Sequence, residues 1–260
     1  MSDEEEGLQN RNPAIERMMA ILTELEKAPD GLSLKRLADR TGVTRSTVYR
    51  ILNSLEAHDM VRQMDRAQYV LGARLLSLAD GVTSTPVSRR IAEKAQPHLD
   101  RLAATLGESC KVSIYDRGFV LVIAAAVGHN PYALAAGIGQ HLPIHAGAGS
   151  KVLLAHLPPA EIDAVLAGEL KRFTALTLVD PDALRAELEL VKARGWSRDG
   201  GEFGVSVNAY GAPIIDATGE VIAAISVPFL VGQDADYEEK VRTVAITTAI
   251  AIGSDLSGSA

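Results

Sequence analysis

Two arginines, two threonines, a serine and a tyrosine crowd one stretch of this chain, Thr44-Arg45-Ser46-Thr47-Val48-Tyr49-Arg50. These are the residue types that bond phosphate oxygens and base edges. Whether they act together depends on sharing a face. Val48, Ile51, Leu52 and Leu55 stand at offsets of 0, 3, 4 and 7, so a helix would bury them on one side. Arg45, Ser46, Thr47, Tyr49, Arg50 and Asn53 then fall opposite. A polar helix face is ordinarily just solvated, but an arginine at a helix start opposes the helix dipole, so Arg45 is poorly placed for stability alone. The pattern implies a DNA-recognition helix.

The neighbouring segments are those that would position such a helix. Ser33 is a good N-cap for a preceding helix that buries Leu34, Leu37 and Ala38. Gly42 stands where a helix C-cap requires positive φ, Val43 packs in the turn, and Thr44 is expected to cap the second helix through its hydroxyl. Upstream, Pro13 suits the first turn of a helix with Ile15, Met18, Met19, Leu22 and Leu25 inward, ended by Ala28-Pro29-Asp30-Gly31. Downstream, Val61 to Met64 and Gln68 to Leu71 flank Asp65-Arg66-Ala67 as a β-hairpin. Three helices and this wing make a winged helix-turn-helix over residues 13–72. The expected DNA contacts are Ser33, Lys35 and Arg36, the recognition-helix residues Thr44, Arg45, Ser46, Thr47, Tyr49 and Arg50, and Arg62 and Arg66 in the wing. One such helix spans only a few base pairs, so a dimer or tetramer on a double-stranded operator with inverted symmetry is expected.

A net charge of −7 over 260 residues is at odds with DNA binding until its distribution is considered. From Gly31 to Arg62 six cations (Lys35, Arg36, Arg40, Arg45, Arg50, Arg62) face three acids (Asp39, Glu56, Asp59), a local charge of 6 − 3 = +3. Attraction to phosphate is therefore confined to one end of an acidic chain. One cysteine, Cys110, excludes an internal disulfide framework and a cysteine-based zinc site. With no signal peptide and no apolar run of the roughly 18–20 residues that span a bilayer, the expected location is the cytoplasm, with no membrane partner.

Residues 1–12 are acidic and polar, and disorder is expected there. An amphipathic helix from Ala73 to Ala79 carries Leu75, Leu76 and Leu78, and the turn-rich Asp80 to Pro86 closes a linker and hinge over 73–86. Apolar faces on this helix and on Val87 to Ala95 suit self-association. From residue 87 to 260 strands and helices alternate. The helix from Val87 towards Leu106 should be kinked or divided at Pro97. Strands are read at Lys111–Tyr115, Val120–Val127, Val205–Ile215 and Val221–Pro228, and helices at Ser150–His156, Glu161–Ala167, Pro181–Arg194 and Tyr237–Ile252. Short turns between adjacent strands make them antiparallel, so the class is α+β.

The run AIERMMAILTELEK…GLSLKRLADRTGVTRSTVYRILNSLEAHDMV…YVLGARLLSLA resembles the N-terminal domain of the IclR family of bacterial transcriptional regulators. GIGQHLPIHAGAGSKVLLAHL, RGWSRDGGE and GAPIIDATGEVIAAISV resemble its C-terminal half, in order and spacing. The resemblance spans Pro13 to about Ile252. It implies a ligand-responsive regulator in which a linker helix joins the DNA-binding domain to a GAF-like effector-binding and oligomerisation domain. It further implies a pocket at the backbone amides of Gly147 and Ala148, with Asp199 as its acidic residue and Ser226 on the final strand. Two polar positions of relatives that bind small oxo-acids are Ala209 and Pro228 here. These exchanges predict a larger or more apolar effector, an organic acid or an aromatic metabolite.

Other chemistries are less well supported. His141 and His145 are four apart, but Pro143 interrupts any helix between them, so no metal site is assigned. The glycines of Ala146–Gly149 match no nucleotide-binding motif. Glu202 reads as a solvated turn acid and Cys110 as a buried, inert thiol. No cofactor is expected. The alternative is a hydrolase-like enzyme using Gly147, Asp199 and Ser226, but no serine or cysteine has an assignable histidine partner, so no catalytic residue is assigned.

Overall fold

The computed structural model describes residues 12–64, 67–82, 86–134 and 137–258. The chain divides into two compact units, Met1–Val82 and Thr83–Ala260.

In the first unit, α1 (Pro13–Glu26) starts with Asn12 accepting from the Ala14 amide. Strand β1 (Leu32–Ser33) leads into α2 (Leu34–Thr41), where Ser33 Oγ accepts from the Arg36 amide and Gly42 closes the helix at φ 68°. The recognition helix α3 (Arg45–Ala57) follows. Thr44 is its N-cap by position, but its side chain makes no capping bond: its hydroxyl pairs with those of Ser46 at 3.3 Å and Thr47 at 3.0 Å. The neighbouring hydroxyls take the place of the amide partner expected from sequence. The wing is β2 (Val61–Met64) and β3 (Gln68–Leu71), antiparallel, with β1 added on the other side of β3.

The core of this unit joins Ile21, Leu22, Leu25, Leu37, Val48, Leu52, Leu55, Val61 and Tyr69. Ile15 and Met19, expected inside, are 52% and 50% exposed. Burial on α1 is confined to Ile21, Leu22 and Leu25, so its first half lies outside the core and apolar periodicity alone overstates what is buried. Gly72 is required at the wing's base, since a Cβ there would lie 2.1 Å from the Asp59 carbonyl oxygen. Asp59 itself holds φ 56°, a left-handed conformation that Asp tolerates. Helix α4 (Arg74–Val82) ends the unit, with Leu76 and Leu78 exposed.

The second unit is a six-stranded antiparallel sheet between two helical layers. It is built from α5 (Pro86–Leu106), β4 (Cys110–Asp116), β5 (Phe119–Ala126), β6 (His141–Pro143), α6 (Ala148–Ala155), α7 (Pro159–Ala167), α8 (Pro181–Arg194), β7 (Ser197–Gly200), β8 (Val207–Ile215), β9 (Val221–Leu230) and α9 (Ala235–Ser257). Strand order is β6-β5-β4-β9-β8-β7. Helix α5 runs unbroken through Pro97 rather than dividing there. One sheet face, with Cys110, Val112, Tyr210, Ala212, Ile225 and Val227, packs on α5 and α9. The opposite face, with Val120, Val122 and Ala224, packs on α6, α7 and α8. The two-residue period of a strand sorts the side chains: wherever alternate residues enter the first core, the residues between them are delivered to the α6 side. No helix among the described residues is long and apolar enough to cross a membrane.

Candidate DNA-binding face and effector pocket

On α3 the helical period buries Val48, Leu52 and Leu55 and leaves Thr44, Arg45, Ser46, Tyr49 and Arg50 exposed, with Thr47 half-buried. Lys35 and Arg36 are exposed on the first turn of α2, and Arg62 on the wing strand. None of the side chains of Lys35, Arg36, Arg45, Arg50 and Arg62 forms a hydrogen bond or ion pair among the described residues, in contrast to Arg40, 3.4 Å from Glu24. Five uncommitted cations in one small unit can meet phosphate without first breaking a bond. Ser33 is half-buried and already serves as a cap. Arg66 lies outside the described residues. Thr47 and Arg50 also line a groove between α1 and α3 together with Arg17, a cation that sequence reading did not single out.

The other residues of interest converge on one cavity of about 60 Å³ beneath the start of α6. Gly147, Ala148, Asp199, Ala209 and Ser226 all line it. Sheet register explains the convergence. Lys111, Ser226, Gly211 and Ser197 form one cross-strand row, and Asp199, Ala209 and Pro228 form another. The rows turn towards α6 because their strand neighbours fill the first core. Gly211 lets α6 sit directly on the sheet, since a Cβ there would come within 2.7 Å of the Ala148 carbonyl carbon. Ser197 Oγ donates to the Ala148 carbonyl and fixes that approach. Asp199 is buried, and its carboxylate accepts from the Glu202 amide at 2.6 Å. Burial raises its pKa, while backbone donors and Lys151 oppose the rise.

Two family descriptions match the chain: the IclR helix-turn-helix domain over residues 14–65, and the bacterial transcriptional regulator IclR C-terminal domain over residues 84–254. This chain belongs to the IclR family. Like its relatives, it is a DNA-binding transcriptional regulator with an effector-binding C-terminal domain. The HTH-type transcriptional regulator Rv1719 of Mycobacterium tuberculosis is 32% identical over 88% of this chain and 86% of its own length. The crystal structure of the Thermotoga maritima IclR superposes with a TM-score of 0.75 at 24% identity, covering 93% of this chain and 98% of that one. An IclR homologue from Microbacterium hydrocarbonoxydans, solved in complex with 4-hydroxybenzoate, superposes with a TM-score of 0.68 at 23% identity, covering 92% and 98%.

Within this IclR-family chain, a buried ionic cluster supports the pocket from behind. Lys151, fully buried on α6, donates to Glu202 Oε1 at 2.5 Å and to the Arg198 carbonyl at 2.7 Å, and lies 3.4 Å from Glu187. Arg194 binds Glu187 from the other side at 2.7 Å. Glu202 is therefore a buried partner of Lys151, not the solvated turn acid expected from sequence. A turn composition carries no information about a helix folding over it. His145 bonds the Lys171 carbonyl at 2.9 Å, whereas His141 lies on the exposed edge strand, 3.5 Å from Asp116. Lys111 and Phe203 are among the pocket residues that sequence reading missed. Lys111 had a signal: it follows Cys110 in a strand, so a buried cysteine places the lysine on the opposite face.

Proposed function

We propose that residues 13–72 of this regulator read an operator with inverted symmetry, that 73–86 link the two functions, and that 87–260 bind a small organic acid that alters operator binding. The observation that carries this is the convergence of Gly147, Ala148, Asp199, Ala209 and Ser226 on one cavity at the start of a helix. Free amides at a helix N-terminus favour an anion, which suits a carboxylate. The uncommitted cations of α2, α3 and the wing supply the DNA side. The protein acts as a dimer or tetramer in the cytoplasm, by binding and not by turnover. The hydrolase alternative would use a histidine base at Ser226, and among the described residues no histidine bonds it.

An aromatic acid is the second reading, favoured by Phe203 on the pocket wall and by the 4-hydroxybenzoate of the Microbacterium protein. The test of the pocket is Ala209→Phe together with Asp199→Asn, in band-shift titrations with and without ligand. Ala209→Phe should abolish the ligand's effect and leave operator affinity unchanged, and Asp199→Asn should change ligand preference. Wild-type response midpoints in both variants would place the effector elsewhere.

A further inference from the structure

The groove between α1 and α3 is a feature that phosphate contacts by themselves leave unexplained. It holds about 500 Å³, and Ile15, Met18, Ile51 and Met60 give it apolar walls. Its polar rim is cationic. Arg17, Arg50 and His58 line it, and none of the described lining residues is an acid. Neither arginine side chain forms a hydrogen bond or ion pair among the described residues, and Arg17 stands exposed on α1, outside the recognition helix. A DNA backbone would satisfy the cations but not cover the apolar walls. A peptide segment carrying acids beside an apolar side chain matches both.

Residues 1–11, which lie outside the described residues, have that composition. Asp3, Glu4, Glu5 and Glu6 against Arg11 give −4 + 1 = −3, opposite to the +3 between Gly31 and Arg62, and Leu8 is apolar. The segment joins the unit at Asn12, the N-cap of α1, and Ala14 and Ile15 of that first turn already belong to the groove wall. Eleven residues can reach about 36 Å, whereas the 13 residues of α3 extend only about 20 Å. Resting on the reading of α3 as the DNA-binding face, we propose that residues 1–11 dock along this groove of their own chain, with Leu8 against Ile15 and Ile51 and the acids on Arg17 and Arg50. The segment is then an intramolecular competitor of DNA phosphate. Being tethered, it acts at an effective concentration on the order of millimolar, so weak ion pairs suffice. Any duplex must displace it, and the affinity for every duplex falls by the same factor. Operator binding, which has base contacts in addition, outlasts that loss; binding through phosphate alone does not.

The test compares the full-length protein with a chain lacking residues 2–11, each titrated with a non-operator duplex at low and at high salt. Deletion should raise affinity by about 3- to 10-fold at low salt and leave it unchanged at high salt, where screening has already freed the cations. The salt dependence of DNA binding should therefore be steeper in the shortened chain. A full-length variant with Asp3→Asn, Glu4→Gln, Glu5→Gln and Glu6→Gln should behave like the deletion, because charge and not length is what competes. Docking is read from a spin label on Ser2→Cys, the native Cys110 being buried. The methyl resonances of Ile51 and Met60, distant from residue 2 in sequence, should broaden, and should sharpen again on adding DNA or neutralising the four acids. Methyls that stay sharp overturn the proposal, and shifts that instead follow protein concentration would identify a second copy as the occupant. Equal non-operator affinity with and without residues 2–11 at low salt overturns it as well. Arg50→Ala in the shortened chain separates the two readings. Weaker DNA binding there upholds α3 as the DNA face whatever the segment does; undiminished binding removes that face, and the competitor with it.

Discussion

Arg45 and Arg50 differ from Arg40 in what they already hold. Arg40 reaches Glu24 at 3.4 Å, while the other two extend from α3 with no intramolecular partner among the described residues. Replacing Arg45 or Arg50 by Ala should therefore weaken operator binding by about 1–3 kcal/mol where the lost contact is to a base, and Arg40→Ala by less. Band shifts on all three variants check this; equal affinities with intact folding would refute it. Cys110 offers a second residue-scale prediction. It is fully buried, its thiol donates to the Leu99 carbonyl, and burial pushes its pKa up to about 12. The thiolate is the reactive form, so a thiol reagent at neutral pH should label the native protein only at the rate of unfolding. Labelling within seconds under native conditions would contradict the assignment.

Among the elements, α6 is the one on which the pocket depends. It presses on β8 at Gly211, where an added Cβ would meet the Ala148 backbone at 2.7 Å. Backbone on both sides leaves no flexible side chain to yield. Gly211→Ala should cost about 1–3 kcal/mol, the usual penalty of overpacking, and should also lower ligand affinity by lifting the helix start. Chemical denaturation measures the first and calorimetry the second. Wild-type stability would mean that α6 does not sit on the sheet as described. Lys151 binds the same helix to Glu202 and, through the Arg198 carbonyl, to β7, so elements distant in sequence share one buried cluster.

For the whole molecule, charge and exposed apolar surface lie in different places. From Gly31 to Arg62 the local charge is +3 in a chain whose net charge is −7. Leu76 on α4 is 74% exposed and Val87 on α5 61%, large apolar side chains that a monomer leaves in water. A partner copy would cover them, and a symmetric dimer is what an operator with inverted symmetry requires. Leu76→Asp should shift the protein towards monomer in light scattering and weaken operator binding, leaving ligand binding intact. A monomeric wild-type protein that still bound its operator would sink this idea.

The periodic parts of this fold are legible in the sequence. Helical spacing in α3 separates Val48, Leu52 and Leu55 from Arg45 and Arg50, and the limits of β2, β3 and α8 follow from the turn residues that bound them. The family was legible too, because its motifs recur in order through both halves. Tertiary structure alone decided three things. Strands β1 and β6, of two and three residues, are too short to show a period, β7 (SRDG) carries no apolar alternation, and all three exist because a neighbouring strand supplies their hydrogen bonds. Exposure of Ile15 and Met19 depends on how far the core reaches along α1. The pocket's charge and size depend on cross-strand register, which sets Lys111 beside Ser226 and Asp199 beside Ala209 across more than 100 residues in one case and ten in the other. Local sequence specifies which face a side chain takes; only the pairing of distant strands specifies what that side chain meets.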